Sequence, residues 1–116
     1  GSNYEWSQHW RLAEHIGLAA EEVVAVRDWK KANNLGAADK AVLAAVDDTL
    51  EHGKISDQDW MKCATHIRSQ AELVEMVVAI GHWTMFSQLL RSLEVPLEED
   101  VDAWPPDGAA SGDDNY

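Results

Sequence analysis

Gly17, the run Asn33-Asn34-Leu35-Gly36 and Gly53 cut the first half of this chain into segments whose apolar residues recur every three or four positions. That period belongs to helices, and no strand-like alternation, internal repeat or glycine-rich phosphate loop accompanies it. The spacing predicts a first helix over residues 3–16, closed by Gly17, which tolerates the left-handed conformation of a helix end. A second is expected to run through "GLAAEEVVAVRDWKK", with Glu21 and Glu22 at its dipole-favoured start and Lys30 and Lys31 at its end. The third spans about 37–52, with Val42, Leu43, Val46 and Leu50 inward. Ser56 is placed to cap a short helix, "SDQDWMKCATHI". Ser69 and Glu72 have capping-box spacing at the head of "SQAELVEMVVAIGHWTMFSQLLRSL". Gly81 is expected to interrupt that last helix. It costs about 1 kcal/mol relative to alanine, so the close packing of another helix is its expected reason. Met61, Met76 and Met85 are expected to fill the core.

The fold class expected is therefore all-α, in a 116-residue chain sized for one domain with a modest core. Charge then marks its far end. The net charge is −12, and residues 94–116 hold eight of the 21 acids and none of the nine bases. The rest of the chain is left with 13 acids against nine bases. With Pro96, Pro105, Pro106, Gly108 and Gly112 and no apolar period, residues 98–116 read as an acidic, mostly disordered tail behind a helical domain at 3–97. A basic stripe is absent, which argues against a nucleic-acid partner. No uninterrupted apolar run approaches the roughly 18 residues of a membrane span, so no membrane partner is expected, and no signal peptide is apparent. The lone Cys63 rules out an internal disulfide and says little about compartment, and a cytoplasmic location is the default expectation. Gly1-Ser2 reads as a remnant of tag removal.

The chemistry centres on "NYEWSQHW", residues 3–10. On a helix Glu5 and His9 stand one turn apart on one face, among Tyr4, Trp6 and Trp10. A carboxylate beside an imidazole orients the ring, selects the nitrogen that carries the proton and favours the imidazolium. Three readings of that spacing stay open: surface or structural pairing, acid–base chemistry in an apolar pocket, or metal binding. Asp48 and His52 repeat the spacing within a cluster, Asp47, Asp48, Glu51 and His52, that reads as a solvated face. His82, between Gly81 and Trp83, is a further polar candidate. Cys63 supports neither a dithiol redox pair nor a structural zinc site.

The order "YEWSQHW", "GL", "EEV", "ISDQDW", "ELVEMVVAIGHWTMF" and "LEVPL" resembles the carboxymuconolactone decarboxylase family, a branch of the AhpD-like superfamily, over Tyr4 to Leu97. The resemblance implies an all-α, AhpD-like helical bundle that assembles as a trimer or hexamer. Peroxidase members carry Cys-x-x-Cys-x-x-x-His here. Aligned on His9, those thiols fall at Glu5 and Ser2, so thiol peroxidase chemistry is not expected. The decarboxylase-like branch carries Glu-Trp-x-x-His, matched by Glu5, Trp6 and His9. The resemblance thus implies a cofactor-independent lyase, decarboxylase-like or isomerase-like, acting on a small lactone or keto acid. Glu5, His9 and His82 would be its catalytic residues, and Tyr4, Trp6 and Trp83 its substrate pocket, with no metal and no cofactor. Family members carry further helices before this motif, so a partner chain supplying them is a second expectation. The competing readings are a non-catalytic helical assembly protein of the same fold, and a metal site made by Glu5, His9 and His82 across a subunit boundary.

Overall fold

Ser2 accepts a long hydrogen bond, 3.4 Å, from the backbone N–H of Glu5 and so caps the first helix. The computed structural model describes residues 2–110. Among them the secondary structure is helical: α1 (Asn3–His15), α2 (Ala20–Ala25), a 3-10 turn (Val26–Asp28), α3 (Ala37–His52), α4 (Asp57–His66) and α5 (Gln70–Ser92). No strand occurs among the described residues, as the apolar period requires. The chain divides into two units, one made by the chain up to Arg27 together with the chain from Thr84 onward, the other by Asp28–Trp83.

In the Asp28–Trp83 unit, α3 packs on α4. Ala41, Ala45, Cys63, Leu73 and Ile80 form its core, with Val46, Ile55, Trp60, Ala64, Ile67 and Met76 packed around them. The residues at closest approach are small. Ala45 and Cys63 are fully buried, whereas Leu50, expected inward, is 47 % exposed. Alanine at i and i+4 lets two helix backbones come close, which larger side chains at those positions would prevent. Asp47 and Asp48, read from sequence as a solvated face, both bind backbone or side-chain donors. Asp47 accepts from Trp29 Nε1 at 3.2 Å and pairs with Lys30 at 3.0 Å. Asp48 accepts from the backbone N–H of Ser56 at 2.9 Å, tying the end of α3 to the start of α4. Gly53, with φ of 73°, turns the chain between them in the left-handed region where a side chain is strained.

Four expectations change. The second helix stops at Ala25 and gives way to the 3-10 turn, so the expected helix through Lys31 does not form. Its N-cap, Ala19, offers no side-chain acceptor, and Val23, Val24 and Val26 are β-branched residues of weak helix propensity. Gly81 does not interrupt α5, which runs unbroken through 23 residues, and beyond its chain neighbours and its own helix backbone no described atom lies within 4 Å of where its Cβ would stand. The close-packed neighbour expected at Gly81 is therefore absent among the described residues. Met61 and Met85, expected in the core, are 67 % and 54 % exposed. Finally, α5 is long and apolar enough, by length and composition, to cross a membrane. Its scattered Glu and His residues hide that average from a search for an uninterrupted run.

In the other unit, α1 meets α2 and buries Ser7, Trp10 and Ala13. The segment from Glu98 to Ala110 does not match the disorder expected of it. Tyr4 and Gln8 donate to the two carboxylate oxygens of Glu98, at 2.9 and 2.7 Å. Asn3 Oδ1 accepts from the backbone N–H of Trp104 at 2.9 Å, and Trp6 Nε1 donates to the Pro105 carbonyl at 2.6 Å. Arg27 adds hydrogen bonds to Pro105 O and Asp107 Oδ1, both at 2.8 Å. Residues 105–108 form a turn, with the Gly108 N–H on the Trp104 carbonyl at 2.9 Å, and no helix consumes the Pro105 carbonyl that Trp6 and Arg27 reach. Residues 111–116 of the expected tail lie outside the described residues.

Candidate functional site around Glu5 and His9

Both members of the pair sit on α1, and the helix brings them together as its period demands. His9 Nδ1 lies 2.8 Å from the Glu5 backbone carbonyl and 3.4 Å from Glu5 Oε2. Each of these oxygens can only accept, so in the neutral ring the proton resides on Nδ1 and Nε2 carries the lone pair. The Glu5 side chain is 15 % exposed and that of His9 45 %, which makes the carboxylate the fixed half of the pair and the ring the half open to solvent. That arrangement supplies an oriented imidazole whose Nε2 is the basic atom.

The pocket residues expected around the pair are engaged otherwise. Trp6 packs 6.2 Å from Trp10, lies under the Arg27 guanidinium and donates to Pro105. Tyr4 donates to Glu98. That bond, broken if the phenol ionises beside a carboxylate, raises the Tyr4 pKa above its ordinary value. The Glu98 carboxyl is held below its ordinary value, first by its own backbone N–H and then by the Tyr4 hydroxyl. His82 and Trp83 belong to the Asp28–Trp83 unit, where their rings meet edge to face at 4.9 Å. Among the described residues no group of three His, Cys, Asp or Glu side chains is arranged to hold a metal ion.

A concave site exists beside α1, on the other side of the helix from Glu5 and His9. Ser7, Trp10, Arg11 and Glu14 follow one stripe at i, i+3, i+4 and i+7, and form one wall. Val101 and Pro105 contribute to the opposite wall of a groove of about 600 Å³. None of Tyr4, Glu5, Trp6 or His9 lines it. Sequence reasoning missed this groove because it treated the acidic tail as absent from the fold. The available signal was Trp104-Pro105-Pro106, an aromatic and two rigid residues in an otherwise polar segment.

Cys63 is buried between α3 and α4, where its thiol donates to the Ala41 carbonyl at 3.3 Å. Burial pushes that thiol up from its ordinary pKa, which makes it a packing residue and a poor nucleophile.

No protein-family model, curated protein or solved structure matches this chain.

Proposed function

We propose that this chain is a cofactor-independent lyase of carboxymuconolactone decarboxylase type, built on an AhpD-like helical bundle and acting on a small lactone or keto acid. The observation that carries the reading is the anchoring of His9 Nδ1 on the Glu5 carbonyl at 2.8 Å, with Glu5 Oε2 at 3.4 Å. It makes Nε2 the proton-transfer atom. In a decarboxylation the carbon–carbon bond to the carboxylate breaks, carbon dioxide leaves, and the electron pair remains on the substrate as an enolate. The imidazolium then delivers its Nε2 proton to that carbon. In an isomerisation Nε2 first removes a proton from the carbon acid and returns it at another carbon. The substrate carbonyl holds the developing charge in both cases, so the proposal assigns no cofactor and no metal. Glu5 orients the ring. Assembly as a trimer or hexamer, or with a chain supplying further helices, belongs to the same proposal.

The test is turnover of a panel of γ-lactones and β-keto acids by the assembled protein. His9→Ala should lower kcat by roughly 100- to 10,000-fold, the range of general acid–base catalysis, with the fold retained. Glu5→Gln should cost less, since the backbone carbonyl still fixes Nδ1. Full activity in His9→Ala together with a lowered melting temperature would assign the pair to helix packing instead.

A second reading, a non-catalytic helical assembly protein, is favoured by a different observation: α5 exposes Val74, Val77, Val78, Met85 and Leu89. Normal assembly by a His9→Ala variant, alongside no turnover by the unsubstituted protein on any substrate of the panel, is its expected signature.

A further inference from the structure

The groove beside α1 is lined wholly by residues of the unit that contains α1. Its far wall is held in place before any ligand arrives, because Asn3, Trp6 and Arg27 bind Trp104, Pro105 and Asp107. At about 600 Å³ it has room for a small organic molecule. Two features of the lining ask for opposite chemistry. The first is Trp10, only 6 % exposed. Its indole N–H has no hydrogen-bond partner among the described residues, whereas the indoles of Trp6 and Trp29 donate to Pro105 and Asp47. Among those residues the one side-chain nitrogen or oxygen both sealed from solvent and unpartnered is Arg27 Nε, so the Trp10 N–H is open, and the groove is the concavity that Trp10 lines. An indole N–H can only donate. Arg11, beside it on the same wall, is a second donor and carries positive charge. Together they call for an anionic acceptor.

The second feature is a set of three carboxylates. Glu14 stands one turn along α1 from Trp10, and Asp100 and Asp102 come from the segment after α5. None of the three forms an ion pair among the described residues. Arg11 is the single base of the lining, and its charge is shared with Glu98 outside the groove. The lining therefore keeps an excess of negative charge beside a pair of donors.

We propose that the groove binds a free basic amino acid of the lysine or arginine class. Its carboxylate meets the Trp10 N–H and Arg11, its two cationic groups meet Glu14, Asp100 and Asp102, and its methylene stem lies along Val101 and Pro105. Other occupants match the lining less well. A dicarboxylate or a keto acid is repelled by the three acids, which also separates this groove from the substrate proposed for Glu5 and His9. A diamine leaves the Trp10 and Arg11 donors unused. A neutral apolar molecule would desolvate carboxylates without pairing them. A metal ion alone is disfavoured, since no described group of three ligating side chains is arranged to hold one. The site does not rest on the acid–base reading of Glu5 and His9 and holds whether or not that pair is catalytic.

Titration of the full chain followed by the assigned indole N–H signal of Trp10 in proton–nitrogen NMR tests it, at about 0.15 M salt to screen long-range attraction. L-lysine or L-arginine should shift that signal to saturation, with a dissociation constant of about 1 mM or tighter. 1,5-Diaminopentane, which lacks the carboxylate, should bind roughly 10-fold more weakly or worse, and glutarate should not bind. Arg11→Gln, and separately Asp100→Asn with Asp102→Asn, should each weaken L-lysine by about 10-fold or more. Glu51→Gln with Glu75→Gln removes as much charge away from the groove and should leave binding unchanged. No shift with either amino acid would overturn the proposal. So would 1,5-diaminopentane or glutarate binding as tightly as L-lysine. Equal weakening by the groove and control double variants would show general attraction to an acidic chain and overturn it as well.

Discussion

Arg27 holds its guanidinium 4.3 Å over the centre of the Trp6 ring, and the same group binds the Pro105 carbonyl and Asp107. A cation in the 3-10 turn after α2 thus bridges an aromatic on α1 and the acidic segment that comes after α5. The Arg27 side chain is 11 % exposed, so its contacts to Trp6 and Pro105 are desolvated, whereas Asp107 is 52 % exposed and that ion pair is open to solvent screening.

Arg27→Ala should destabilise the fold by about 1–3 kcal/mol, because it leaves the Pro105 carbonyl short of a donor and uncovers the Trp6 face. Arg27→Lys should recover only part of that loss, since one ammonium cannot reproduce the forked geometry. Urea unfolding followed by tryptophan fluorescence measures both. An Arg27→Ala variant as stable as the unsubstituted chain would show that the contact is incidental.

Removing residues 98–116 should lower stability by about 2 kcal/mol or more. The truncation strips acceptors from Trp6, Tyr4 and Gln8 and opens one wall of the groove over Trp10. From composition alone the expected cost is below about 1 kcal/mol, the scale of ordinary surface changes. Thermal unfolding of the truncated chain separates the two values.

Acid should loosen the same segment. Arg27 beside Asp107 holds that carboxyl below its ordinary value, and Glu98 is held below its own by backbone and side-chain donors. A carboxyl with a depressed folded pKa contributes stability that is complete above its unfolded value, here 3.8 for Asp107 and 4.5 for Glu98, and is lost as pH falls through the lower folded value. Stability should therefore be flat from neutral pH to about pH 5 and fall below it. Asp48, lowered chiefly by the Ser56 hydroxyl, adds a loss of the same sign in the other unit. Asp107→Asn should flatten the Trp6 fluorescence change between about pH 5 and pH 3, the carboxylate range, while leaving the Asp48 contribution in place. An unchanged profile would remove Asp107 from this acid response.

His9 should be found as the Nδ1–H tautomer when neutral, because both nearby oxygens are acceptors. Nitrogen-15 chemical shifts of the ring above about pH 8, where an ordinary histidine is almost wholly neutral, report this directly. The Nε2–H form would break the 2.8 Å contact to Glu5 and with it the proposed role of Nε2.

The helical class, the ends of α3 at Gly36 and Gly53, the Ser56 cap of α4 and the Glu5–His9 pairing were all legible in the sequence, because each depends on residues within one turn of one another. Caps, stops and i,i+4 pairs are local, and the chain need not fold beyond a helix for them to be decided. Tertiary structure decided where each apolar and polar face goes. Ala41 and Ala45 rather than Leu50 meet α4, since close approach of two backbones selects for small side chains at the crossing. The acidic segment lies along α1 because Trp6, Arg27 and Asn3 present donors and an acceptor to it from positions 77 to 101 residues away, a match that no window of composition contains. The exposed side of α5 was equally invisible to the sequence: its period announces an apolar face, but only the packing of Leu73 and Ile80 shows which residues are buried in the core and which, such as Val74, Val77 and Val78, are exposed among the described residues.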